Sequence, residues 1–218
     1  MNPSNHPEDK PKSWSRRKRA RPSEILDAAL KVFAEKGFAA ARMEDIASRA
    51  GVTKGTIYLY FPSKEEVFKT LARETAGQAL ADAALHVHAF PGTPRDSIVM
   101  LLTAIADFLR KDDRAALPKI IISESGNFPE LAKFWCNEVI DKAMAMLIDV
   151  FEQGVACGQF RPLPPEIVAR LCVAPVIMNI IWRTTFVPHG IPPLDFEQLF
   201  ATHLDILLHG LVLEGKSK

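Results

Sequence analysis

Apolar residues in this 218-residue chain recur at spacings of three and four, and nowhere alternate with period two for long enough to build a sheet. That pattern restricts the chain to an all-α fold. Ile25, Leu26, Ala29, Val32 and Phe33 mark a first helix, with Pro22 suited to its first turn and Gly37 a C-cap. A second short helix spans roughly Met43–Ala50, with Ile46, Ala47 and Ala50 inward, and Gly51 stops it. Thr53 is an N-cap for a third, which runs to about Tyr60. Pro62 closes that segment, and Ser63-Lys-Glu-Glu66 opens a fourth helix as a capping box, continuing towards His88.

Further along, Phe90-Pro-Gly-Thr-Pro94 breaks the chain before a helix over Ser97–Arg110. Asp112–Ser125 reads as a short helix bent at Pro118, and Pro129–Gly154 as a long amphipathic one. After Arg161–Pro165, the segment Glu166–Phe186 is apolar almost all round, which marks a buried helix. Phe196, Leu199, Phe200, His203, Leu207, Leu208 and Leu211 then line one helical face. The expected organisation is a basic arm over 1–21, a small helical domain over 22–68 and a larger helical domain over 69–218.

Hydrophobic residues at 48% and charged residues at 24% exclude a disordered chain. The longest uncharged run, Leu171–Trp182, has twelve residues where a spanning helix needs ~20, so no membrane contact is expected. The polar N-terminus lacks the apolar stretch of a secretory signal, and the three cysteines have no metal-ligand spacing. A cytoplasmic protein without metal or cofactor follows. Its net charge of +1 conceals an asymmetry: residues 1–69 carry 14 Lys/Arg against 9 Asp/Glu, and the remainder carries 13 against 17. A basic first part suggests a polyanionic partner at one end.

Two short helices joined by Ala50-Gly-Val-Thr53 have the pattern of a helix-turn-helix, whose second helix presents its N-terminal residues to base edges in the major groove. Those residues are Thr53, Lys54, Gly55 and Thr56, with Tyr58 one turn on. Residues 23–68, about a fifth of the chain, resemble the DNA-binding domain of the TetR/AcrR family of bacterial regulators. The resemblance is carried by Ile25-Leu-Asp-Ala-Ala29, Phe33-Ala-Glu-Lys-Gly-Phe38, Glu44-Asp-Ile-Ala47, Ala50-Gly-Val-Thr-Lys-Gly-Thr-Ile-Tyr58 and Tyr60-Phe-Pro-Ser-Lys-Glu-Glu66. It implies base contacts from Lys54, Thr56 and Tyr58 and phosphate contacts from Thr53, Tyr60 and Lys64. Lys64 reads equally as a solvated neighbour within the capping box. The sequence departs from the family where Ala41-Arg42 replaces the usual hydroxyl residue opening the second helix. Arg42 could reach a phosphate there with its own charge.

The resemblance also implies a helical ligand-binding and dimerisation domain, hence a homodimer on a palindromic operator of double-stranded DNA. The last two helices are the dimer candidates, Glu166–Phe186 because it is apolar almost all round and the final one through Phe196, Leu199, Phe200, His203, Leu207 and Leu211, with the competing reading that both serve the subunit's own core. Phe108, Trp135, Asn137, Met178, Trp182 and Arg183 are candidates for binding a small lipophilic effector, against plain packing for each. No nucleophile elbow, P-loop or zinc-protease motif occurs, so no enzyme is expected. The expected function is a DNA-binding repressor released by an effector. The alternative is a DNA-binding protein whose C-terminal domain docks a protein partner.

Overall fold

The computed structural model describes residues 22–110 and 112–213, and the basic arm expected over 1–21 lies outside them. Among these residues the helices are α1 (Pro22–Ala40), α2 (Met43–Arg49), α3 (Lys54–Tyr60), α4 (Lys64–Ala72), α5 (Gln78–Ala89), α6 (Pro94–Arg110), α7 (Asp112–Glu124), α8 (Pro129–Trp135), α9 (Asp141–Ala156), α10 (Pro165–Ile181) and α11 (Phe196–Leu211). Single π-helical turns join α4 to α5, join α8 to α9 and extend α10, so three helical runs are longer than their α segments. No strand occurs among the described residues; a lone bridge pairs Phe160 with Val212. The chain divides between Phe68 and Lys69 into two compact units.

In the first unit Gly37 takes φ 75°, a conformation open to glycine, and interrupts α1 where the apolar period predicts its end. Phe33, Phe38 and Phe68 meet with ring centroids 5.3–6.2 Å apart. Around them Ile25, Ala29, Ile46, Ile57 and Val67 are buried, closing a small core under the short helices. Full burial of each large side chain contributes roughly 1.5–3 kcal/mol, enough for helices this short to persist.

The second unit centres on α6, α9 and α10, whose Leu101, Leu102, Leu147, Phe151, Val168 and Cys172 share one core with Phe160 and Leu211. Gly154 permits the closest approach there, since a Cβ on it would sit 2.0 Å from the Phe160 ring. That ring stacks on Phe151 at 5.7 Å and has no room to retreat. α7 runs through Pro118 as helix. α10 corrects the expectation of a helix buried on every side, because Ile167, Leu171 and Met178 are exposed on it while Val168, Cys172 and Val176 are buried. With its extension it forms the 25-residue stretch Pro165–His189, long and apolar enough by composition to cross a membrane. Its buried half packs instead into the core of the unit.

Candidate DNA-reading site

The turn between α2 and α3 is built by hydrogen bonds that glycine makes possible. Gly51 sits at φ 68°, and its N–H donates to the Ser48 carbonyl while that of Val52 donates to Ala47 at 2.9 Å. This pair of bonds is a Schellman stop, and the left-handed residue it requires is why glycine stands at this position. Two residues later Thr53 caps α3: its hydroxyl accepts from the Thr56 N–H at 3.2 Å and lies 2.8 Å from the Thr56 hydroxyl. Helix α3 is thereby fixed with Ile57 fully buried and its other faces in solvent.

At the opening of α2, where the usual hydroxyl is missing, Asp45 compensates. Its carboxylate accepts from the Arg42 N–H at 3.1 Å and pairs with Lys36 at 2.8 Å. The Lys36 contact, with that N–H, holds the Asp45 carboxyl below the usual carboxylate range. Arg49 clamps Glu35 through two bonds of 2.6 Å, tying α2 to α1 and lowering the Glu35 carboxyl in the same way. The Arg42 side chain itself is exposed.

Seven of the eight residues expected at DNA lie on or beside this scaffold. Thr53, Lys54, Gly55, Tyr58 and Tyr60 are exposed along α3 with Thr56 half-buried among them, and Arg42 opens α2. Lys64 stands apart from them, engaged within the first unit. Its ammonium donates to the carbonyls of Phe38 at 2.9 Å, Ala39 at 3.0 Å and Ala41 at 3.3 Å. Through these three bonds Lys64 pins the end of α1 in the DNA-free protein. Nothing in the capping-box pattern could show this, because its partners lie over twenty residues away. One residue was missed by pattern alone: Leu59 is 83% exposed, between Tyr58 at 43% and Tyr60 at 41%. Among the described residues of the first unit these three are the exposed large hydrophobic side chains, and all stand on α3.

Two stretches of the chain match known families. Residues 25–71 match "Bacterial regulatory proteins, tetR family", and residues 91–193 match "Tetracyclin repressor-like, C-terminal domain". The HTH-type transcriptional repressor KstR2 of Mycobacterium tuberculosis is 30% identical over 198 residues, spanning 90% of this chain and 95% of its own. The chain belongs to the tetR family of bacterial regulatory proteins. It is a DNA-binding transcriptional repressor of that family, whose members are regulators of transcription and not enzymes. The tetR-type fold is shared with a crystal structure of the Bacillus subtilis transcriptional regulator FadR in complex with stearoyl-CoA, at a TM-score of 0.69 and 23% identity over 87% of this chain and 99% of that one. The fatty acid metabolism regulator protein of Bacillus subtilis is 26% identical over 196 residues, covering 90% and 98% of the two chains.

In the second unit of this tetR-family chain, a cleft of about 380 Å³ opens between α5 and α6. Ala83, Val87, Met100, Ala104 and Phe108 wall it, and Asp82, His86, Asp107 and Arg114 supply its polar groups. Among the six residues expected at an effector, only Phe108 lines this cleft. Trp135 is buried, Asn137 and Met178 are exposed elsewhere, and the Trp182 indole N–H donates to the Pro192 carbonyl at 2.9 Å. Arg183 donates to the carbonyls of Arg110 at 2.8 Å and Leu109 at 3.1 Å, capping the C-terminus of α6. The α11 stripe is divided likewise. Leu211 is 3% exposed, Phe200 and Leu207 pack on the same core, and Phe196 packs on a second cluster around Val176 and Ile180. His203 Nε2 donates to the Cys172 carbonyl at 2.8 Å, and Leu199 is half-buried. The apolar side chain that α11 leaves in solvent is Ile206, at 67%.

Proposed function

We propose that this repressor acts as a homodimer on a palindromic operator, with α3 of each subunit in the major groove, and that a lipophilic effector releases it. The observation that carries the reading is the exposed row Tyr58-Leu59-Tyr60 on a helix whose N-terminus is capped by Thr53. Large hydrophobic side chains left in water on one helix of a closed domain mark a surface meant to be covered. Lys54, Thr56 and Tyr58 read base edges, and Leu59 supplies an apolar contact for a thymine methyl. Thr53, Tyr60 and Arg42 meet phosphates, and Gly55 lets the backbone come close.

Dimerisation places Ile167, Leu171 and Met178 of α10 with Ile206 of α11 against a second copy. Within the two helices expected at the interface, this reading selects the residues that remain uncovered over the buried stripe of α11. The effector reading is supported by the relative named for fatty acid metabolism and by the structural neighbour that holds stearoyl-CoA. Its place here is the α5–α6 cleft, where apolar walls would take a hydrocarbon body and Arg114 an anionic end. Such a molecule shifts the protein off DNA only by binding the two conformations unequally. A cytoplasmic location follows from contact with the bacterial chromosome.

Fluorescence anisotropy of the full chain on its own gene's upstream DNA, against a scrambled duplex at physiological salt, tests this. A preference of ~10³ or more is expected, reduced when stearoyl-CoA is titrated in. A ratio near one on every upstream region tried would overturn operator reading. Specific binding that no acyl-CoA weakens would favour a protein partner at the C-terminal domain.

A further inference from the structure

Glu44 is an acid on the helix pair that has to approach a polyanion. Its Oε1 lies 2.5 Å from Lys54 Nζ, and both side chains are at least half exposed. The neighbouring acids Glu35 and Asp45 pair with Arg49 and Lys36 and so bind α2 to α1. Glu44 reaches instead to the first residue of the reading helix. An exposed ion pair adds little to stability, and a carboxylate at a DNA-facing surface weakens attraction to phosphate. Glu44 stands in the first turn of α2, where the helix dipole favours an acid, and its reach to Lys54 sets it beside the reading helix as well.

We infer that Glu44 is a specificity-determining residue, which with Lys54 forms a donor–acceptor unit reading one G·C base pair in each half-site. In the major groove guanine offers the O6 and N7 acceptors and its paired cytosine offers the N4–H donor. The Lys54 ammonium has three N–H groups. One bonds Glu44, which leaves two for O6 and N7, while the second Glu44 oxygen accepts from N4. The Tyr58 ring, with its centroid 6.0 Å from Nζ, lies on the same helix beside the ammonium and narrows its swing. Held by Glu44, Lys54 is also kept from pairing with whichever phosphate is nearest, the sequence-independent contact that a lone lysine makes. The pairing raises the lysine and lowers the glutamate, so both stay charged throughout the physiological range. This inference depends on α3 entering the major groove.

The experiment selects duplexes from a random-sequence pool with the full-length wild type, Glu44→Ala, Glu44→Gln and Lys54→Ala. It then follows the salt dependence of binding to the unselected pool by anisotropy. The wild type should enrich a motif with one fixed G·C pair per half-site. Glu44→Ala and Lys54→Ala should both lose preference at that same pair, by about tenfold, and keep the other positions. Glu44→Ala and Glu44→Gln should both bind the unselected pool more tightly, with the slope of log affinity against log salt steeper by about 0.9 per subunit as Lys54 turns to a phosphate. If Glu44→Ala selects the wild-type motif with an unchanged slope, Glu44 is an ordinary surface acid and the inference falls. If the wild type itself enriches no motif, the groove-reading function falls with it, so the two failures are distinguishable.

Discussion

Residues 22–68 and residues 69–213 are both helical, yet they treat their apolar side chains differently. The first unit leaves three large ones in solvent, consecutive on one helix. Among its described residues the second leaves twelve, including Leu85, Ile122, Ile140, Ile167, Leu171, Met178 and Ile206, spread over several helices and loops. Where function is reading a fixed shape such as the DNA groove, a short local motif suffices and exposure is concentrated. Where the proposed function is dimer contact and effector binding, the surface is distributed, and no short motif can encode it.

Charging the uncovered face of the second unit has the largest expected effect. Leu171→Asp combined with Ile206→Asp should convert the dimer to monomer in sedimentation velocity. Operator affinity should then fall by about 10²-fold or more, because the second half-site no longer adds to the first. A dimer that survives both changes would assign the exposed row to another partner. Gly154→Ala probes the core beneath. With its Cβ driven into the stacked Phe160 ring, thermal denaturation should show a loss of about 1–3 kcal/mol, and DNA specificity should persist in the folded protein.

Two substitutions sharpen the picture of the first unit. Lys64→Met removes the donor to three carbonyls, so stability should drop by about 1–3 kcal/mol with the salt slope of DNA binding unchanged. A shallower slope with unchanged stability would restore the phosphate contact. Gly55→Ala should behave in the opposite sense. A Cβ there would meet nothing nearer than the Thr53 hydroxyl oxygen at 3.9 Å. The free protein should gain up to about 1 kcal/mol of helix stability, while operator binding weakens because the space belongs to DNA. The smallest effect is acid sensitivity. Glu35 and Asp45 have carboxyls lowered by Arg49 and by Lys36, respectively. Their stabilising contribution is full above the ordinary carboxylate range and fades as pH falls through the lowered values. Chemical denaturation at successively lower pH should show this slight loss, and Glu35→Gln should remove part of it.

Much of the first unit was legible because its signals are local. Gly37 and Gly51 stand where φ must be positive, Thr53 caps the helix it opens, and the spacing of Ile46 and Ala47 turns them inward, with Ala50 half-buried beside them. Lys64 was not legible, since a flexible side chain goes to whichever acceptors the fold brings near it. Arg183 and His203 follow the same rule, each ending on a carbonyl of a different helix.

The helices, the turn between α2 and α3, and the helix expected at DNA were all readable from the chain alone. These depend on backbone conformation, capping and period, which act over a few residues. The tertiary structure alone decided which apolar faces are covered. A stripe at helical spacing says that a face is apolar and not what lies against it. So Leu211 went to the subunit's own core while Ile206, five residues earlier on the same helix, was left in solvent. The opposing surface is contributed by α6, α9 and α10, far away in sequence, and only folding brings them together.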